Sequence, residues 1–131
     1  MDDLIYAINS IYYSTINDID FNMSNKEITF KLTLTDNGNI SHHTMQFKNV
    51  TAFLWIERPK DSQLYSYPDC DYYELTSITF EKIGTKTEND WLNQYLMEYN
   101  VVIEIWETAL LINATELSID NQLFGLPKDK T

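Results

Sequence analysis

Cysteine, glycine, proline and positive charge are all scarce in this chain, and each shortage excludes something. Cys70 is the only cysteine, so no internal disulfide staples the fold, whereas a small exported domain would ordinarily carry several. Three Gly and three Pro among 131 residues leave no run rich in Gly, Ser or Pro to act as a flexible linker. No apolar stretch reaches the ~18 residues that suggest a membrane-spanning helix. The start, Met1-Asp2-Asp3, carries acids where an export signal carries Lys or Arg ahead of an apolar segment. A cytoplasmic location is therefore expected, and the glycosylation-sequon matches at Asn22, Asn49 and Asn113 read as chance.

Nine Lys plus Arg face twenty Asp plus Glu, a formal charge of −11. Binding to nucleic-acid backbones or anionic membranes relies on Lys and Arg to displace counterions. Both are disfavoured, and a basic protein partner is favoured instead. The imbalance is also uneven. Between Thr87 and Pro127 lie Glu88, Asp90, Glu98, Glu104, Glu107, Glu116 and Asp120 but no Lys or Arg. Plain solubility explains such a surface as well as a specific interface does.

What the chain has in quantity is apolar and aromatic surface: 44% hydrophobic residues, with nine Tyr, six Phe and three Trp. That is enough to offset chain entropy, and the length suits one core, so residues 1–131 are expected to form a single domain. Leu4, Ile8, Ile11 and Tyr12 fall on one helical stripe behind Asp2 and Asp3, which predicts a short N-terminal helix. From Ile28 to Thr35 the period drops to two, the mark of a strand with one dry face. Asp36-Asn37-Gly38-Asn39 then reads as a hairpin turn leading to a partner strand over 41–48.

The segment Val50 to Glu57 is apolar on nearly both sides, which predicts a strand covered on both faces and ending at Arg58-Pro59. Lys60 to Asp71 reads as a long loop, Tyr72 to Ile83 as a strand with a bulge near Thr76, and Asn89 to Met97 as a helical turn. Tyr99 to Trp106 and Leu110 to Ile119 read as a final hairpin. The expected class is mainly β (α+β): an antiparallel β-sandwich or strongly curved sheet of about seven strands with a short N-terminal helix.

No GxGxxG, GxxxxGK[ST], HExxH or GxSxG motif occurs. His42 and His43 are the only histidines. As strand neighbours they point to opposite faces, so a shared metal is disfavoured against a solvated strand end. Asp69 and Asp71 flank Cys70 and would raise its pKa, which argues against a catalytic thiol. With Glu74 they form an acidic cluster that lacks the spacing of a calcium loop. No cofactor is expected.

In Glu104-Ile105-Trp106-Glu107, core-facing Ile103 and Ile105 would leave Glu104 and Trp106 together on the other face. Trp55 with Glu57, and Tyr73 beside Glu74, repeat the theme of aromatics flanked by acids. The alternative is that Trp106 covers a second core layer with Glu104 at an edge. The partner-binding set is therefore Trp55, Glu57, Asp69, Asp71, Glu74, Glu104, Trp106 and Glu107, with aromatics as anchors and acids as complements to Lys or Arg.

Leu32-Thr33-Leu34-Thr35-Asp36-Asn37-Gly38, Asn49-Val50-Thr51-Ala52-Phe53-Leu54-Trp55, Tyr72-Tyr73-Glu74-Leu75-Thr76-Ser77-Ile78 and Glu98 to Trp106 resemble the YxiG-like family of small proteins from spore-forming Gram-positive bacteria. The resemblance covers most of the chain. It implies a cytoplasmic bacterial protein without assigned enzymology, from a family whose members can be encoded near contact-dependent toxins. The expectation is a non-enzymatic acidic binding domain, most concretely an immunity-like inhibitor of a basic toxin domain such as a nuclease. Two alternatives stand beside it: a small enzyme using Asp69, Asp71 or Glu74, with or without a metal, and a self-associating module that forms a homodimer.

Overall fold

The computed structural model describes residues 2–57, 73–84, 98–106 and 108–127. It opens with helix α1 (Asp2–Asn9). Leu4 and Ile8, with Ile11 just beyond, are buried, while Ile5 and Tyr6 face outward. The helix stops where Ser10 Oγ donates back to the Ala7 carbonyl at 2.6 Å and the buried Ser14 Oγ donates to the Ile11 carbonyl at 2.7 Å. These short hydroxyls offer the backbone an alternative to continued helix.

Ten strands follow among the described residues: β1 (Thr15–Asn22), β2 (Glu27–Asp36), β3 (Asn39–Lys48), β4 (Ala52–Glu57), β5 (Tyr73–Glu74), β6 (Ser77–Gly84), β7 (Tyr99–Ile105), β8 (Thr108–Asn113), β9 (Glu116–Ile119) and β10 (Gln122–Gly125). They form two antiparallel sheets, ordered β10-β9-β3-β2-β1-β5 and β4-β8-β7-β6. Between them lies the main core. Ile28, Phe30, Leu32, Met45 and Phe47 come from one sheet, Val101, Ile103, Ile105, Leu110 and Ile112 from the other, and Leu4, Ile8 and Ile11 join from the helix side. Phe30 and Phe47 meet edge to face, with centroids 6.1 Å apart, a favoured aromatic geometry.

The β2–β3 hairpin has its expected two-residue turn. Asn37 and Gly38 adopt φ of 52° and 83°, the positive values that match the twist of a tight hairpin.

Elsewhere the outcome differs from expectation in instructive ways. The strand predicted near Val50 is not covered on both faces: Ala52 and Phe53 are exposed and β4 is an edge strand. Double burial falls instead on β7 and β8 in the sheet interior, where Tyr99, Val102, Ala109 and Leu111 build a second small cluster with Ile56. The bulge expected near Thr76 is a crossing between sheets. β5 pairs with β1 in the larger sheet and β6 with β7 in the smaller one. Leu110 to Ile119 is likewise two strands, β8 and β9, divided where the chain crosses back at Ala114 and Thr115. The long loop and helical turn expected over 60–71 and 89–97 lie outside the described residues.

Candidate functional site

Among the described residues, one corner of the sandwich is open. β1 pairs with β2 over its length but with β5 only at Thr15 and Ile16, and β4 is the facing edge of the smaller sheet. Between them lies an apolar groove of about 640 Å³, lined by Ile16, Ile19, Phe21, Phe53, Trp55 and Tyr73 together with Asn17 and Asp18. Phe21 and Phe53 stack across it, with centroids 4.9 Å apart and planes inclined by 28°.

A register shift between Ile16 and Asp18 marks a bulge at Asn17. It breaks the period-two pattern yet sets Ile16 and Ile19 in the same groove, as bulges re-aim side chains near sheet rims. The Asn17 side-chain amide donates to Thr33 Oγ1 and pins the bulge to β2.

Tyr73 lies at one end of the groove, opposite Ile16 in the β1–β5 pairing. Its ring meets that of Trp106 at 6.3 Å with an inclination of 48°. Trp106 is in the turn of the β7–β8 hairpin, with φ of 53°, and its backbone N–H donates to Thr76 Oγ1 at 2.9 Å. For a bulky residue, left-handed backbone is an outlier that the surroundings must hold in place. Here the Thr76 hydroxyl and the Tyr73 ring do so. Trp55 and Tyr73 thus line the groove from two separate elements, and Trp106, from a third, packs against Tyr73.

The acids are distributed about these aromatics. Glu74 follows Tyr73 on β5 and is half-buried. Glu57 ends β4, exposed, opposite Thr108 at the turn end of β8. Asp18 lines the groove. Glu104 pairs with Ser77, and its carbonyl accepts the Thr76 N–H at 2.9 Å. It shares strand phase with Val102 of the second cluster, so it lies on the face turned away from the inter-sheet core that Trp55 packs against.

Of the sequence-predicted set, Trp55, Glu57, Glu74 and Trp106 are therefore brought to one end of the molecule, with Glu104 around the sheet from them. Because β7 ends at Ile105, Glu104 and Trp106 do not share a strand face. Asp69, Asp71 and Glu107 lie outside the described residues. Ile16, Asp18, Ile19, Phe21 and Phe53 were not singled out from the sequence. The alternation of Ile19 and Phe21 against Asp18, Asp20 and Asn22 was their available signal.

A second polar cluster involves both histidines. As strand alternation requires, they diverge: His42 Nδ1 meets Thr33 Oγ1 at 3.2 Å, while His43 Nδ1 meets Asp120 Oδ2 at 2.6 Å and its Nε2 meets Ser41 Oγ at 2.9 Å. His43 is thus a tied side chain rather than a solvated strand end. Asp120 Oδ1 also accepts the Thr44 N–H at 2.9 Å. Burial pushes the Asp120 carboxyl up, but the hydrogen bonds from His43 and Thr44 and the charge of His43 outweigh it and hold the group below its ordinary value. Among the described residues no group of three or more His, Cys, Asp or Glu side chains is placed to hold a metal ion, and no helix is long and apolar enough to cross a membrane.

Fold and groove together define a small antiparallel sandwich with an open, aromatic-lined corner. The chain belongs to the YxiG-like protein family, whose family model matches residues 4–124. A search of curated proteins finds no match.

Proposed function

We propose that the protein is a binding domain that captures a basic protein partner at the open corner of the sandwich, with no chemistry performed at that corner. In its most concrete form it is an immunity-like inhibitor, acting in the bacterial cytoplasm, that covers the cationic active site of a toxin domain such as a nuclease. The observation that carries this reading is the apolar groove of about 640 Å³ lined by Trp55, Tyr73 and Asp18, with Trp106 against Tyr73, and with Glu57 and Glu74 ending the strands that carry Trp55 and Tyr73.

Interface energy concentrates in a few aromatic anchors seated in desolvated pockets. Acids around such anchors add charge complementarity, which speeds encounter and disfavours acidic competitors. The net charge of −11 extends that steering field over the whole domain. Against a nuclease, a carboxylate-rich surface occupies the space and potential that substrate phosphates would otherwise fill.

The test is capture from lysate of the source cells at low and high salt, with the bound proteins identified by mass spectrometry, followed by kinetics with the recovered partner. Glu57→Lys and Glu74→Lys should each slow association by roughly tenfold at low salt, with little effect on folding. Glu104→Lys, on the other face of the sheet, should slow it less. Association that ignores both Glu57→Lys and Glu74→Lys at low salt removes this corner from the interface.

A further inference from the structure

The Ser41, His43 and Asp120 cluster stands apart from the groove: in the larger sheet β2 lies between β3, which carries Ser41 and His43, and β1, which lines the groove. Its connectivity is ordered. Ser41 and His43 are two apart on β3 and so share a face. Ser41 Oγ lies 2.9 Å from Nε2, and Asp120 Oδ2 lies 2.6 Å from Nδ1 of the same ring. Asp120 comes from 77 residues along the chain. It sits in the two-residue turn between β9 and β10, where Asp120 and Asn121 adopt φ of 49° and 72°, so the tight turn fixes the carboxylate. Oδ1 is further held by the Thr44 N–H.

In the neutral ring, a carboxylate that only accepts hydrogen bonds takes the single N–H on Nδ1, and Nε2 is left to accept from the Ser41 hydroxyl. Nucleophile on one nitrogen and orienting carboxylate on the other is the arrangement by which a serine is activated, and it is recognised by geometry rather than by sequence order. Ser41 is exposed, whereas the His43 side chain is only 19% exposed. The attacking oxygen is reachable and the base is held.

We propose that Ser41 is a nucleophile activated by His43, which Asp120 orients, and that it accepts acyl or phosphonyl groups from small activated esters. In the acyl case Ser41 Oγ bonds to the carbonyl carbon while its proton passes to His43 Nε2. The carbon–oxygen bond to the leaving alcohol breaks, and His43 returns the proton to that alcohol. Water, deprotonated by His43, then attacks the acyl carbon, the acid is released and Ser41 regains its proton. With a fluorophosphonate the same attack forms an oxygen–phosphorus bond, expels fluoride and stops there. This activity goes beyond the partner-binding reading and uses none of the groove residues.

The test is incubation of the full chain with a fluorophosphonate, read by intact mass and peptide mapping, alongside hydrolysis of p-nitrophenyl acetate. The wild type should gain one adduct, at Ser41. S41A should lose both the adduct and ester turnover. H43Q should slow labelling at Ser41 by about 100-fold or more, the usual contribution of a positioned general base. D120N keeps an oxygen for the Thr44 N–H, and should slow labelling while circular dichroism shows the sheets intact. No adduct at Ser41 in the wild type overturns the proposal. So does labelling of H43Q at the wild-type rate, or ester turnover that survives in S41A.

Discussion

Asn100 shows how single side chains hold the two sheets in register. It is buried in β7, and its amide nitrogen donates to the carbonyls of Ala114 and Pro127, each at 2.6 Å, while its oxygen accepts the Ala114 N–H at 3.1 Å. Ala114 is where the chain crosses from β8 to β9, so one amide satisfies a backbone that no ladder serves. Removing it leaves buried polar groups without partners, and N100A should lower unfolding free energy by about 2–3 kcal/mol with an unchanged urea slope. Asp120 makes a pH-dependent contribution. Its carboxyl is held below 3.8 on folding, so its stabilisation is present above that pH and is lost as pH falls through the lower, folded value. The stability advantage of wild type over D120N should therefore shrink below about pH 3.8, as urea midpoints at several pH values would show. At this scale the aromatics and acids of the groove were legible as neighbours in sequence: Trp55 with Glu57, Tyr73 with Glu74. The contact of Asp120 with His43 was not, because it depends on the β3–β9 pairing, which no local pattern encodes.

Strands β2 and β3 were read with nearly their full extent because strict alternation and an Asn-Gly turn agree with each other. A methyl group at Gly38 would meet no heavy atom within 4 Å, while φ there is 83°, so the requirement for glycine is purely conformational. G38A should destabilise by about 1 kcal/mol, read as a shift in the melting midpoint. β1 escaped notice because the bulge at Asn17 interrupts its alternation. The two sheet crossings at Thr76 and Ala114 read as continuous strands, since leaving one sheet for another does not change the local period. β4 looked like an interior strand because apolar residues on both faces mean either burial by protein or an open edge awaiting a cover. The true interior strands are β7 and β8, and on β7 Ile103 is fully buried between the sheets. I103A should cost about 2–5 kcal/mol, more than truncation of the exposed Phe53 on β4, because the cavity it leaves has little freedom to collapse.

On the scale of the whole molecule, charge and shape point the same way. A field from eleven excess negative charges acts over roughly a Debye length, about 8 Å at physiological salt, so in the proposed binding role it would steer a basic partner without fixing its orientation. In that role orientation would come from the groove, where Phe53 and Tyr73 remain 37% and 47% exposed despite their size. Loss of either contribution should leave a different mark: charge reversal slows association, whereas aromatic truncation speeds dissociation. The most direct measurement is salt-dependent capture from source-cell lysate by wild type and by Y73A side by side, quantified by mass spectrometry. A basic protein retained by wild type at low salt, weakened at high salt and lost from the folded variant is the predicted result. Retention of the same proteins by both, or capture of no basic protein by wild type at either salt, would contradict the account.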